Sequence, residues 1–243
     1  MNTEAAKIFS RVVLAQKPVK IKLLGDSITH GVGGSGFCQD GEAFIEGFAR
    51  NTSGYCWANS FKARMEERYN CRVVNNACTG TNIEFVIKNF DILVDDDDDV
   101  ILCTIGTNNR HQYFKNAPKH SKEEHMRIFY ANILKLSGLF KKAKKDVIFM
   151  ANIPASSKNE QDGPDYWRIF HMNDVNDMYL KASFEEEFPF ISLYNAFYGY
   201  CGSKGVTVDS LLSDGLHPND NGYDVMLSLI EKELGLAVNT TMI

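Results

Sequence analysis

Ser27 stands where a nucleophile can act, directly after the first strand that the sequence predicts. Residues 19–24 form a short run of apolar and β-branched side chains, which is typical of a buried strand, and Gly25, Asp26 and Ser27 follow it. In an open parallel sheet, ligands bind at the carboxyl ends of the strands. A nucleophilic serine requires a base, a group that orients the base, and hydrogen-bond donors for an oxyanion.

Candidates for the base and the orienting group stand together near the end of the sequence. Histidine is the side-chain type whose ordinary pKa lies nearest to neutral pH, and His217 is therefore a candidate to take the proton of a serine. Asp214 lies three residues earlier in the same predicted turn and can accept a hydrogen bond from the other ring nitrogen. Pro218 is expected to stiffen this turn and to occupy the first position of the helix that follows.

Candidate oxyanion donors follow two other predicted strands. Gly80 comes after the second strand and offers a backbone N–H with no side chain in the way, and Asn108 comes after the third and offers an amide. Together with the Ser27 N–H, they supply three donors from neighbouring strand ends. An acyl-transfer oxyanion requires such an arrangement.

The elements that must position these residues are five apolar runs alternating with helical patterns. Strands are predicted at residues 20–25, 72–76, 100–105, 147–153 and 190–194, and helices at residues 55–69, 82–94, 121–144, 165–187 and 219–234. This alternation predicts right-handed crossovers and a parallel sheet covered on both faces. The run at 100–105 is the most apolar, so we expect it at the centre of the sheet.

Four blocks of this sequence resemble those of the SGNH (GDSL-type) hydrolases. They are Gly-Asp-Ser-Ile at 25–28, Gly80, Gly-Thr-Asn-Asn at 106–109 and Asp-Gly-Leu-His-Pro at 214–218, in the family order and over nearly the whole chain. The resemblance implies an α/β fold, a three-layer α/β/α sandwich with a flavodoxin-like five-stranded parallel sheet. It implies an esterase, lipase, thioesterase or carbohydrate O-deacetylase.

The resemblance also implies a role for each matching residue. Ser27 is the implied nucleophile, His217 the base and Asp214 its orienting group, and the implied oxyanion hole consists of the Ser27 and Gly80 N–H groups and Asn108. One departure concerns Asn109, which stands where the family often has aspartate, so a hydrogen bond made by that aspartate is in question.

Composition limits the function classes. The 243 residues are expected to form a single domain, residues 1–243, and 44% hydrophobic with 23% charged residues is ordinary for a globular protein. A net charge of −5 argues against nucleic-acid binding, and no apolar run is long enough to span a membrane. The sequence shows no signal peptide and six scattered cysteines, which together favour a reducing cytoplasmic location. The oligomeric state is left open.

Two further motifs have simpler interpretations than the ligand sites they suggest. Residues 31–36 spell Gly-x-Gly-x-x-Gly, but strand two ends in asparagines rather than an acidic residue, so we interpret them as a flexible loop beside the active site. The aspartate run at 95–99 lacks the spacing of a calcium loop and is interpreted as a solvated turn. No cofactor and no metal are expected.

The predicted function is hydrolysis of short-chain esters, with carbohydrate O-acetyl groups as the favoured substrate. The loops predicted to line the pocket, at residues 31–54, 111–120, 155–165 and 197–208, are polar with interspersed tyrosines, including Tyr198 and Tyr200. Such loops suit a small-molecule or glycan ester better than a lipid. A lysophospholipase or thioesterase acting on longer acyl chains remains an alternative, as does a non-catalytic glycan-binding module.

Overall fold

The central sheet in the computed structural model has five parallel strands, and the structure describes residues 2–110, 121–160 and 168–236. Its strands are β1 (Val19–Gly25), β4 (Cys71–Asn75), β5 (Val100–Thr104), β6 (Asp146–Ala151) and β7 (Phe190–Ser192). Their order across the sheet is β4-β1-β5-β6-β7, the doubly wound order typical of flavodoxin-like folds. The predicted parallel sheet is therefore confirmed, with the run at 100–105 at its centre.

Both faces of the sheet are buried, which explains the continuous apolar run of the central strand, β5. In β5, Val100 and Leu102 pack into one hydrophobic core and Ile101 and Cys103 into the other, because successive side chains point to opposite faces. Helices cover both cores and complete the three layers.

The helices of one layer pack against the core that contains Leu102, and those of the other against the core that contains Cys103. The first layer consists of α1 (Thr3–Val13), α3 (Trp57–Arg68), α8 (Leu193–Lys204) and α9 (Asp220–Glu233). The second consists of α4 (Ile83–Lys88), α5 (Phe90–Leu93), α6 (Lys122–Lys142) and α7 (Met172–Glu186). A four-residue helix, α2 (Ser27–His30), follows β1 directly, and a hairpin of β2 (Ala43–Ile45) and β3 (Phe48–Ala49) lies in the segment after it.

Several predicted boundaries are corrected by capping interactions. The segment 195–204, expected to be loop, is helical because the Ser192 hydroxyl accepts the Asn195 N–H at the start of α8. Pro218 is not the first residue of α9, since Asn219 is its N-cap and accepts the Gly222 N–H at 3.0 Å. The predicted helix at 82–94 is two helices that meet at Asn89.

The aspartate run is a charged cluster rather than only a solvated turn. Lys22 lies fully buried in β1, and its ammonium group is 2.8 Å from Asp95 and 3.5 Å from the buried carboxylate of Asp98. Burial opposes ionisation of Asp95, but hydrogen bonds from Lys20 and Lys22 outweigh it and lower its pKa to about 2. Buried charges persist when they are paired, so these lysines explain why Asp98 can be buried.

None of the helices in the part of the chain that the structure describes is both long enough and apolar enough to cross a lipid bilayer.

Candidate active site

Ser27, His217 and Asp214 form a continuous chain of hydrogen bonds across 190 residues of sequence. The Ser27 Oγ is 2.8 Å from Nε2 of His217, and Nδ1 of His217 is 2.7 Å from Oδ2 of Asp214. The carboxylate can only accept, so Nδ1 carries a hydrogen, and in the neutral ring Nε2 is then the acceptor that faces the serine hydroxyl. The three residues predicted from spacing are therefore brought together with the polarity that proton transfer from serine requires.

The turn that carries Asp214 and His217 is closed by backbone contacts at its base. Leu212 and Pro218 form an antiparallel bridge, and the Ser213 N–H donates to the His217 carbonyl at 2.8 Å. Asp214 Oδ1 accepts the backbone N–H groups of Leu216 and His217. Burial opposes the ionisation of Asp214, but these bonds and the His217 ring outweigh it and lower the pKa of its carboxyl.

Asp26 holds the nucleophile at the end of β1. This fully buried carboxylate is the N-cap of α2, where it accepts the Ile28 N–H at 3.0 Å, and its other oxygen accepts from Asn152 at 3.0 Å. Burial raises the pKa of Asp26, against the opposing effect of the Ile28 N–H. Asn152 directly follows β6, so the position of the nucleophile also depends on the carboxyl end of that strand, which was not among the predicted site positions.

The predicted oxyanion donors lie at the carboxyl ends of β1, β4 and β5, three neighbouring strands. One Asn108 N–H donates to the Thr81 carbonyl at 2.7 Å, which ties the ends of β4 and β5 together. Its second N–H and the backbone N–H groups of Ser27 and Gly80 donate to no other residue within the described ranges. Gly80 is solvent-exposed and has a φ of +76°, a conformation that favours glycine.

The glycine-rich segment packs against the turn that bears the histidine. A Cβ on Gly33, which has a φ of +97°, would lie 2.5 Å from the Pro218 carbonyl oxygen and 2.8 Å from the His217 Cβ. Ser35 adds hydrogen bonds from its N–H and hydroxyl to Asp220, at the start of α9. The glycines therefore permit close approach to the His217 turn, and the prediction of a loop beside the candidate site agrees with this placement.

Asn109, a departure from the family pattern, bonds two residues at the start of α4. Its Oδ1 accepts the Ile83 N–H at 3.0 Å near the start of α4, a bond that an aspartate at this position could also make. Its Nδ2 donates to Glu84 at 2.7 Å, which only an amide can do. Asparagine thus keeps the acceptor and adds a donor for a neighbouring carboxylate.

A polar network supports the loop after β6, which contacts the turn carrying the histidine. The Ser156 N–H donates to the Gly215 carbonyl at 2.8 Å, so this loop touches the residue beside Asp214. Glu160, further along the loop, forms an ion pair with the fully buried guanidinium of Arg110 and accepts the Met172 N–H. Sequence spacing gave no sign of these contacts, because each joins residues from distant segments.

The loops predicted to line the pocket lie only partly within the described residues. Residues 111–120 and 161–165 of the predicted lining loops lie outside the described residues. Tyr198 and Tyr200 are on α8 rather than in a loop, with Tyr198 exposed and Tyr200 packed against the core. A groove of about 510 Å³ lies instead between α3, the β2–β3 segment and β4, and neither Ser27 nor His217 lines it.

The five-stranded α/β fold thus carries the Ser27–His217–Asp214 hydrogen-bond chain at the carboxyl edge of its sheet. The sequence matches the GDSL-like Lipase/Acylhydrolase family over residues 23–225, so the chain belongs to that family. A search of curated proteins found no match.

Several solved structures share the fold. A protein described as a GDSL-like lipase from Parabacteroides merdae has a TM-score of 0.68 and 17% identity, covering 93% of this chain and 99% of its own. Axe2, an acetylxylan esterase from Geobacillus stearothermophilus, has a TM-score of 0.64 and 19% identity, covering 91% and 96%. LAE5, an α/β hydrolase enzyme from the metagenome of Lake Arreo, has a TM-score of 0.66 and 19% identity, covering 92% and 98%.

Proposed function

We propose that this protein is a serine ester hydrolase in which Ser27 is the nucleophile, His217 the general base and Asp214 the orienting group. The observation that carries the proposal is the hydrogen-bond chain from Ser27 Oγ through His217 to Asp214. His217 Nε2 takes the hydroxyl proton as Oγ attacks the ester carbonyl. The proton then passes to the departing alcohol, and the acyl group stays on Ser27.

Water completes the cycle by the same route. His217 takes a proton from a water molecule, the resulting hydroxide attacks the acyl-enzyme carbonyl, and the tetrahedral intermediate collapses. The acid is released and the proton returns to Ser27 Oγ. In both halves the oxyanion is stabilised by the N–H groups of Ser27 and Gly80 and the Asn108 amide, the donors that remain unused within the described ranges.

Replacing Asn108 by alanine should lower kcat by about 100- to 1000-fold, the usual cost of removing one oxyanion donor. Because substrate binding in the ground state does not depend on the oxyanion, KM should change little. The measurement is steady-state hydrolysis of p-nitrophenyl acetate by the purified variant.

Asn132→Ala is a matched control, since it removes an amide that donates to Glu84 at 2.8 Å on the surface between α4 and α6. Its kcat should equal that of the wild type. A comparable loss in both variants, or none in Asn108→Ala, would remove Asn108 from the proposed oxyanion hole.

We favour short acyl chains, with carbohydrate O-acetyl groups as the natural target. The described residues of the loop after β6 place polar side chains beside the turn that carries Asp214 and His217, with the Ser156 hydroxyl and the Asn159 amide next to Gly215. A polar surrounding of this kind suits a hydroxylated substrate. The acetylxylan esterase activity of Axe2 is compatible with this proposal. The second candidate is a lipase acting on longer acyl chains, supported by the family's description and by the lipase from Parabacteroides merdae.

An ester chain-length series separates the two candidates. For p-nitrophenyl esters from acetate to dodecanoate, we expect kcat/KM to be highest at two to four carbons and to fall steeply beyond. A maximum at eight carbons or more would instead identify the protein as a long-chain acylhydrolase. Acetate release from acetylated xylo-oligosaccharides, compared with that from a simple alkyl acetate, then tests the carbohydrate preference.

A further inference from the structure

His30 is a buried histidine that the proposed chemistry does not use. It is the last residue of α2, only 1% exposed, and both of its ring nitrogens have partners. Nε2 is 2.9 Å from the Ala49 carbonyl oxygen in β3, and Nδ1 is 2.8 Å from the Thr79 Oγ1. The ring also packs edge-on against Phe37 of the glycine-rich segment. One side chain therefore joins three segments around the end of β1.

The partners of the ring fix its tautomer. A carbonyl oxygen only accepts hydrogen bonds, so Nε2 carries the hydrogen that it donates to Ala49. Burial lowers the pKa of His30, which favours the neutral ring. Nδ1 is then a bare acceptor, and the Thr79 hydroxyl must donate to it. The acceptor at Nδ1 therefore directs the hydroxyl hydrogen of Thr79 toward the His30 ring.

Thr79 immediately precedes Gly80, and Gly80 itself has little support. A Cβ added at Gly80 would meet no atom of the described residues within 4 Å, so none of them packs on that side of its backbone. Cys78 on one side is held by its N–H bond to the Gly25 carbonyl, and Thr81 on the other by its hydroxyl bond to the Cys78 carbonyl. The Thr81 N–H also donates to the Cys78 carbonyl at 3.3 Å, which closes a turn around Thr79 and Gly80. Within this turn, the contact between the Thr79 hydroxyl and His30 is the bond that ties the Thr79–Gly80 peptide to the end of β1.

We propose that His30 and Thr79 are positioning residues that hold the Gly80 N–H in place as an oxyanion donor. This inference rests on the proposed function, in which the Gly80 N–H binds the oxyanion. Donors stabilise a transition state when they are oriented in advance, and an exposed glycine in the left-handed region is free to adopt other conformations. His30 also fixes the segment that contains Thr79 and Gly80 relative to the β2–β3 hairpin, because the same ring bonds Ala49 and Thr79.

Thr79→Val tests the proposal, because it removes the hydroxyl and keeps the shape of the side chain. We expect kcat for p-nitrophenyl acetate to fall about 10- to 100-fold, less than or equal to the effect of losing a donor outright, with KM within twofold. Thr79→Ser keeps the hydroxyl and should restore most of the rate. Thr29→Val is the matched control, since it removes a buried hydroxyl one residue from His30 that has no hydrogen-bond partner among the described residues.

His30→Gln completes a double-mutant cycle. A glutamine amide can reach the position of Nε2 and donate to the Ala49 carbonyl, but it offers no acceptor where Nδ1 lies. The single variants should lose similar factors in kcat, and His30→Gln combined with Thr79→Val should lose no more than either alone, because both remove one shared bond.

Backbone ¹⁵N relaxation of Gly80 supplies a readout that does not require catalysis. The order parameter of its N–H should fall from about 0.85 in the wild type toward 0.6 in Thr79→Val, and stay unchanged in Thr29→Val. An inactive wild-type protein would overturn the proposed function, and the order parameter would still decide whether Thr79 positions Gly80. A Thr79→Val protein with a rigid Gly80, or with the kcat of Thr29→Val, would overturn the inference.

Discussion

Ser27→Ala should abolish ester hydrolysis to within the background of the oxyanion donors, a loss of about 10⁶-fold in kcat. The variant removes the only atom that the proposed mechanism acylates, while the His217 ring and the Asn108 amide remain. Stopped assays on p-nitrophenyl acetate with high enzyme concentration measure the residual rate. The Ser27 hydroxyl bonds the His217 ring rather than the backbone of α2, so its loss should leave the fold intact.

A fluorophosphonate probe tests the same atom by covalent chemistry. The wild-type protein should gain the mass of one phosphonyl group on Ser27, and Ser27→Ala should gain none. Ser203→Ala is a suitable control, because its exposed hydroxyl donates to the Tyr200 carbonyl within α8 and lies outside the proposed site. Hydrolysis retained in Ser27→Ala would overturn the proposed mechanism. Failure of the wild type to react, together with binding of a glycan, would favour the non-catalytic alternative.

The strands are predictable because a sheet that is buried on both faces requires runs of apolar residues in the sequence. Each of the five predicted runs overlaps an observed strand, with ends that differ by up to two residues. A parallel sheet covered on both faces requires apolar side chains at successive positions, so the signal does not depend on distant parts of the chain. The strand ends then place Ser27, Gly80 and Asn108 at one edge of the sheet.

Two helices were missed although their apolar spacing is present in the sequence. Leu193, Phe197 and Cys201 are buried four residues apart on α8, but Gly199 and Gly202 in the same segment suggested a loop. A Cβ at either glycine would meet no atom of the described ranges within 4 Å, so both glycines lie on a side of the helix against which none of those residues packs. Helix α1 likewise has buried apolar residues on one face, including Ala5, Ile8 and Val12, in a segment where no helix was predicted.

The long-range polar contacts of the site could not be predicted from spacing. Asn152 reaches Asp26 across 126 residues, and His30 reaches Thr79 across 49. No local pattern signals such pairs, since each depends on how two loops meet once the sheet has formed. Asn152 lies inside the strand predicted at 147–153, whereas β6 ends at Ala151, so this boundary error of two residues hid its position at a strand end.

His217→Ala should cost about as much as the loss of the serine, roughly 10⁶-fold in kcat, because a serine hydroxyl without a base is a poor nucleophile at neutral pH. The His217 side chain is 15% exposed, so a small base in solution can enter the space that the ring leaves. Added imidazole should therefore restore part of the rate in His217→Ala, in proportion to its concentration. The same imidazole should have no effect on Ser27→Ala.

The double variant separates shared action from independent contributions. Since every proton that His217 moves serves the acylation or deacylation of Ser27, Ser27→Ala combined with His217→Ala should be no slower than either single variant. Additive losses would mean that the two residues contribute separately, which the 2.8 Å bond between Oγ and Nε2 does not predict.

Asp214→Asn should lower kcat by a smaller factor, about 10⁴-fold. The variant keeps the shape of the side chain but removes the charge that favours the Nδ1–H tautomer of His217. Because the His217 ring still fills its place, added imidazole should not rescue this variant.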